Sequence, residues 1–237
     1  MNLNHILFFD IETVSGSAHY EDLDDRWKKL FAGKARYFQE REPHKEMAQL
    51  YRERAAIFAE FGRAVCIGAG FFHKDQLRIK TFAGPDEEIL LQEFFDLLNQ
   101  HFNQTDRHVL CGHNIREFDV PYLCRRAQVH GIPLPSLLDV SGRKPWEVKH
   151  LVDTMELWKF GDIKHYTSLD LLSACLGLES PKEDMDGSQV HDVFYESEDI
   201  ERIARYCATD VWVTANVYLH LHRQPTIRLE NVYFIDK

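Results

Sequence analysis

The sequence contains no apolar run approaching the roughly 20 residues that a membrane-spanning helix needs. Its N-terminus lacks a basic stretch followed by an apolar one and a small-residue cleavage site. These absences argue against a membrane protein and a secretory leader, so a cytoplasmic location is expected. Cysteine is sparse and shows no C-x-x-C spacing: five residues, at 66, 111, 124, 175 and 207. An odd set in or near apolar segments predicts reduced core thiols and argues against a zinc cluster or a disulfide framework. Positive charge is in deficit, with a formal net charge of −10. That argues against a protein that coats duplex nucleic acid by counterion release. It leaves room for an enzyme that grips a few nucleotides through bound metal ions. Internal repeats and low-complexity tracts are absent.

What is present is a 237-residue chain with 44% apolar residues, enough for a packed globular core. His5 to Phe9 reads as a buried strand. Residues 20–60 are polar and helix-prone, interrupted at Pro43, with an amphipathic helix expected over Tyr51 to Phe61. Ala64 to Phe71 and Leu77 to Phe82 read as a hairpin across HKDQ. Gly84-Pro85-Asp86 opens a helix running to Phe102. His108 to Cys111 is a short strand, with a helix after Pro121. Residues 131–150 are loop-like, and Leu151 to Leu157 is a strand or a helix start. Further helices are expected from Ser168 to Gly177 and from about Asp199 to His222. This order predicts an α/β fold with a mixed β-sheet flanked by α-helices, as a single domain over 1–237.

Three motifs carry chemistry. In FFDIET, Asp10 and Glu12 stand at i and i+2 on a strand, so they share a face and could hold a hard cation together. The spelling alone is cheap: Asp86-Glu87-Glu88 repeats it in the first turn of a helix, where acids complement the dipole. In CGHNIREFDVPYL, Asp119 is either a helix cap or a third carboxylate at the mouth of the sheet. In YCATD, Tyr206 and Asp210 at i and i+4 share a helix face. Tyr20/Asp24, Tyr166/Asp170 and Tyr195/Asp199 have the same spacing, but only Tyr206/Asp210 lies well inside a long helix with an apolar stripe.

In this order, the three motifs resemble those of the DEDD superfamily of 3′–5′ exonucleases, above all the proofreading domain of family B DNA polymerases. SLDLLSACLGL (168–178) and KEDMDGSQVHDVFY (182–195) add to the likeness. It covers roughly residues 3–13 and 62–222 and leaves 14–61 as a helical insertion. Arg205 stands where histidine-type members carry His, so Tyr206 places the chain in the tyrosine-type subclass. The resemblance implies an RNase H-like fold and a stand-alone exonuclease. It implies that Asp10, Glu12, Asp119 and Asp210 bind two divalent cations, Mg²⁺ or Mn²⁺, with Asp10 bridging both. Tyr206 would orient the attacking water. Asn114, Phe118 and Thr13 would contact the substrate.

The implied reaction is metal-dependent removal of nucleoside 5′-monophosphates from the 3′ end of single-stranded DNA. The alternatives are an exoribonuclease and a non-catalytic scaffold of the same fold. No membrane partner is expected, and a repair or replication partner is left unnamed. Charge alone adds one expectation: without metal, four clustered carboxylates repel one another and retain at least one proton. Residues 26–54 stand apart, with nine Lys/Arg against four Glu and with Trp27, Phe31, Tyr37, Phe38 and Tyr51 between them. Such a mixture suits single strands, whose backbone meets the charges and whose bases stack on the rings. Packing of those rings into a helical layer is the other reading.

Overall fold

Ile6, Leu7, Phe8 and Phe9 are all buried, so the first strand is covered on both faces and must be central to its sheet. In the computed structural model, which describes residues 2–162, 166–180 and 185–235, this strand is β1 (Ile6–Ser15). The other strands are β2 (Gly62–His73), β3 (Gln76–Ala83), β4 (Val109–Gly112), β5 (Leu151–Asp153) and β6 (Tyr233–Ile235). They form one mixed sheet in the order β5-β4-β1-β2-β3-β6. β2 lies antiparallel to β1 and β3, while β4 is parallel to both β1 and β5, and β6 is parallel to β3.

The helices are α1 (Asp25–Arg41), α2 (Met47–Arg54), α3 (Glu87–His101), α4 (Asp119–His130), α5 (Thr154–Lys159), α6 (Leu169–Cys175), α7 (Val190–Tyr195) and α8 (Ile200–Leu221). One sheet face, with Leu7, Phe9, Ile11 and Ile67, packs on α3 and α4 through Phe94, Leu98, Val120 and Leu123. The other face, with Ile6, Phe8 and Ile79, packs on α8 through Val211, Trp212 and Ala215. The fold is α/β and RNase H-like.

Several expectations need correction. β1 does not stop at Phe9 but continues to Ser15, because Ile11 and Val14 are also buried and pairing with β2 runs on to Ser15↔Gly62. The acidic pair therefore lies inside a strand and not at its end. No helix spans Tyr51 to Phe61. α2 ends at Arg54, a 3₁₀ turn covers Ala55–Ile57, and the Phe61 carbonyl accepts from Gly16 N–H at 2.7 Å, steering the chain into β2. α4 begins at Asp119, before Pro121, since proline is tolerated in a first helical turn. Leu151 to Leu157 is both strand and helix. β6, a three-residue edge strand, carried no sequence signal. The insertion forms α1 and α2, whose Phe31, Ala35, Leu50 and Tyr51 make a cluster of their own with Phe61.

Candidate active site

β1 and β4 run parallel, but their pairing ends at Phe8↔Cys111. Beyond that point the β4 side of β1 is open, while β2 still covers the other side. The Ile11 N–H, which has no strand partner there, donates to Asp119 Oδ1 at 3.2 Å. The parting of two parallel strands at their carboxyl ends is the usual crevice of an α/β sheet. Here it receives the first residue of α4.

The third motif arrives by close packing. A methyl group on Gly68 would meet Val211 Cγ2 at 2.8 Å and Cys207 Sγ at 3.0 Å, and one on Gly70 would meet Val211 Cγ1 at 2.6 Å. The absence of side chains at these two positions of β2 lets α8 lie directly on the strand that pairs with Asp10 and Glu12 (Asp10↔Gly68, Glu12↔Cys66). One cleft of about 280 Å³ is consequently lined by Asp10, Glu12, Asp119, Tyr206 and Asp210 together with Asn114 and Phe118. A larger groove of about 750 Å³ between α8, β3 and β6 is mostly apolar and contains none of these carboxylates.

The electrostatics match the charge argument. Burial, followed by the charges of Asp119 and Asp210, holds the Asp10 carboxyl well above the usual range. Glu12 is raised in the same way, by burial and then by Asp10 and Asp210. Asp119 is pushed up to about 8, first by burial and further by Asp153, against the hydrogen bond from Ile11. The Tyr206 phenol is raised by burial and by Asp210, Glu12 and Asp10, and hydrogen-bonds to Asp210. Four carboxylates compressed into one cleft are short of positive charge. The buried Asn114 Oδ1 beside them has no hydrogen-bond partner. Carboxylate and amide oxygens dominate this donor set, and such donors fit hard divalent cations.

The loop between β4 and α4 is held from behind. Asp153, at the end of β5, accepts from the backbone N–H groups of Asn114 (2.9 Å), Arg116 (3.2 Å) and Met155 (3.0 Å). Arg116 reaches back to the carbonyls of Leu151 and Val148. Asn114 takes φ +65°, a left-handed conformation that Asn tolerates better than most residues. At Gly112 a side chain would strike Ile115 Cγ2 at 2.0 Å, so only glycine lets the chain fold back here. His113 is buried between Thr154 Oγ1 (2.9 Å) and the Thr167 carbonyl (2.8 Å), which fixes the segment leading into α6.

Seven of the eight residues singled out from the sequence line the cleft. Thr13 does not: it faces Tyr122 on the opposite side of the sheet. Phe118 both lines the cleft and packs on the core, its ring 5.4 Å from that of Tyr122. Asp86 caps α3 by accepting from Ile89 N–H, as its position implied. Tyr166 and Asp170, set aside on context, both line the cleft, Tyr166 from the loop before α6 and Asp170 from its first turn. Cys207 was also missed. Its Sγ lies 3.5 Å from the Asp10 carbonyl, and it could share an ion with Asp10 and Glu12. Burial raises its thiol well above the usual range, so it stays protonated, and a soft thiol suits a hard cation poorly. Asp153 had no sequence signal, because its role depends on a strand of three residues. Lys182, Glu183 and Asp184 of KEDMDGSQVHDVFY lie outside the described residues.

A family model described as a predicted 3′–5′ exonuclease related to the exonuclease domain of PolB matches residues 57–232. The chain belongs to that family. The match begins after the FFDIET strand and most of the insertion. Among solved structures, the fold is similar to the family B DNA polymerase of the hyperthermophilic archaeon Pyrobaculum calidifontis, with a TM-score of 0.56 and 19% identity. That likeness covers 91% of this chain and 24% of the polymerase, so the chain spans about a quarter of that protein's length. No curated protein matches the sequence. Among the described residues, no helix is long and apolar enough to cross a membrane.

Proposed function

We propose that this chain is a metal-dependent 3′–5′ exonuclease that shortens single-stranded DNA by two-metal-ion phosphodiester hydrolysis. The observation that carries the reading is the convergence of Asp10, Glu12, Asp119 and Asp210, from three separate stretches of sequence, on one cleft with Tyr206. A fold alone has no use for four mutually repelling acids in one cleft, Glu12 and Asp119 buried and Asp10 and Asp210 half-buried. Asp10, Glu12, Asp119 and Asp210 would hold two divalent cations, Mg²⁺ or Mn²⁺. Such ions, when bound, supply an activated water and neutralise charge on the attacking and leaving oxygens.

The protein's own groups do the rest. Burial and the neighbouring carboxylates favour the neutral phenol of Tyr206, which suits it to orient the water by hydrogen bonding. Asn114 offers a free carbonyl oxygen toward the substrate. Phe118, at the N-cap of α4, and Tyr166, in the loop before α6, both line the cleft and offer aromatic rings to the terminal bases. The resemblance to proofreading domains favours DNA over RNA.

The test is digestion of matched single-stranded DNA and RNA, labelled at the 3′ or the 5′ end, with Mg²⁺, Mn²⁺ or EDTA, beside Asp10→Ala. Metal-dependent shortening from the 3′ end that vanishes in the variant is expected, with DNA preferred. Preference for RNA would move the assignment to an exoribonuclease. Failure of the folded protein to cleave under any metal would refute the reading.

A further inference from the structure

The basic segment 26–54 divides cleanly in the structure. Phe31 and Ala35 of α1 face inward with Leu50 and Tyr51 of α2, so part of its aromatic content is core. Five of its nine cations are also engaged within the protein. Lys28 reaches the Glu21 carbonyl, Lys34 pairs with Glu60, Lys45 with Glu42 and Glu53, Arg52 with Asp192, and Arg54 with Glu42. The remaining four, Arg26, Lys29, Arg36 and Arg41, are exposed on α1 and form no ion pair among the described residues. At 3.6 residues per turn they fall on one outward face, together with the exposed Leu30 and Tyr37. The Arg41 guanidinium lies 4.9 Å from the Tyr37 ring centroid, a cation–π contact. Two acids border or enter the stripe, Asp25 at its start and Glu40 near its end, so the four cations keep it positive. On a chain of net charge −10, this face has the opposite sign from the whole.

Its position is tied to the cleft. β1 ends at Ser15, three residues past Glu12, or about 10 Å along the strand. Gly16 N–H binds the Phe61 carbonyl, and Trp27 near the start of α1 packs edge-on against Phe61 at 5.6 Å. The stripe therefore begins near the C-terminal end of β1, just past the acidic pair, and extends over a helix about 26 Å long.

We infer that the outward face of α1 is a docking track for the single-stranded nucleic acid that trails the 3′ end held in the cleft. This rests on the proposed exonuclease reading. Arg26, Lys29, Arg36 and Arg41 meet phosphates, while Tyr37 and Leu30 meet bases or sugars. The track engages only strands long enough to leave the cleft.

The test compares the wild-type chain with a triple reversal, Arg26→Glu, Lys29→Glu and Arg36→Glu. A control of equal charge change carries Lys74→Glu, Lys149→Glu and Arg223→Glu at exposed sites elsewhere. Hydrolysis of a trinucleotide and of a twenty-nucleotide oligothymidine is measured, with fluorescence anisotropy of the longer strand against salt in EDTA. We expect KM for the long strand to rise about tenfold in the track variant. Trinucleotide hydrolysis should be unchanged, and the salt slope of binding should become shallower by about 2, as three lost contacts to a single strand imply. The control should stay within twofold of wild type. An unchanged KM and salt slope in the track variant, or an equal loss in the control, would overturn the inference. If the wild type cleaved neither substrate, the exonuclease reading would fall while the anisotropy comparison still decided the track.

Discussion

Replacing Asp119 by Asn should stabilise the metal-free protein while abolishing its activity. Asn keeps an oxygen to accept the Ile11 N–H and differs little in volume, so packing is preserved. What changes is charge. The Asp119 carboxyl ionises at 3.8 when unperturbed and at about 8 in the fold. The native state therefore binds more protons than the unfolded chain between about pH 4 and pH 8, and stability falls as pH rises through that window. At about 1.4 kcal/mol per pKa unit, an isolated group of this kind costs on the order of 4 kcal/mol by pH 7. Asp10 and Glu12 shift in the same direction, so the cost is shared across a coupled cluster. The variant lacks one of these charges and should melt about 10 °C higher than wild type near pH 8 in EDTA. The gap should close toward pH 5. Added Mg²⁺ should stabilise the wild type more than the variant, because binding to the native state alone adds to its stability. The assay is thermal unfolding in EDTA and in Mg²⁺ at several pH values from 5 to 8. A wild-type stability that is flat or rises with pH in EDTA, or a variant that melts lower at pH 8, would refute the argument that the cluster is self-repelling.

Three further perturbations separate positioning from chemistry. Tyr206→Phe should lower kcat by about 10- to 100-fold with little change in KM, and the ascending limb of the pH profile should match wild type; an ascending limb that disappears in the variant would show the phenol acting as a base. Gly70→Val should cost about 1–3 kcal/mol in denaturant unfolding and reduce activity, since its side chain must displace Val211 and lift α8 from β2; wild-type stability would show that α8 is not held this closely. Asp153→Ala should cost about 3 kcal/mol or more, because three backbone N–H groups lose a charged acceptor, and it should lower the Asp119 pKa, moving the metal-free stability loss to lower pH; an unchanged pH dependence would contradict the coupling of Asp153 to Asp119.

Much of the fold was legible locally, because burial imposes a period. The apolar run of β2, the alternation of β3, the helical spacing from Ile89 to Phe102 and the apolar stripe of α8 are all written in residue order. The proposed site residues were legible for a different reason. Asp10, Glu12, Asp119, Tyr206 and Asp210 stand inside short motifs whose order and context set them apart from cheaper repeats of the same spelling. Tertiary structure alone decided how these stretches meet. The parting of β1 from β4 after Phe8 gives Asp119 its place, and Gly68 and Gly70 let α8 approach; neither glycine announces this in sequence, because what it leaves room for lies about 140 residues away. Asp153 and Tyr166 were illegible because a three-residue strand and a loop residue have no period to read. Thr13 faces Tyr122 and not the cleft because adjacent residues of a strand point to opposite faces. Residue order thus determined which groups could do metal chemistry. The sheet, by parting two strands and seating one helix close, decided which of them converge.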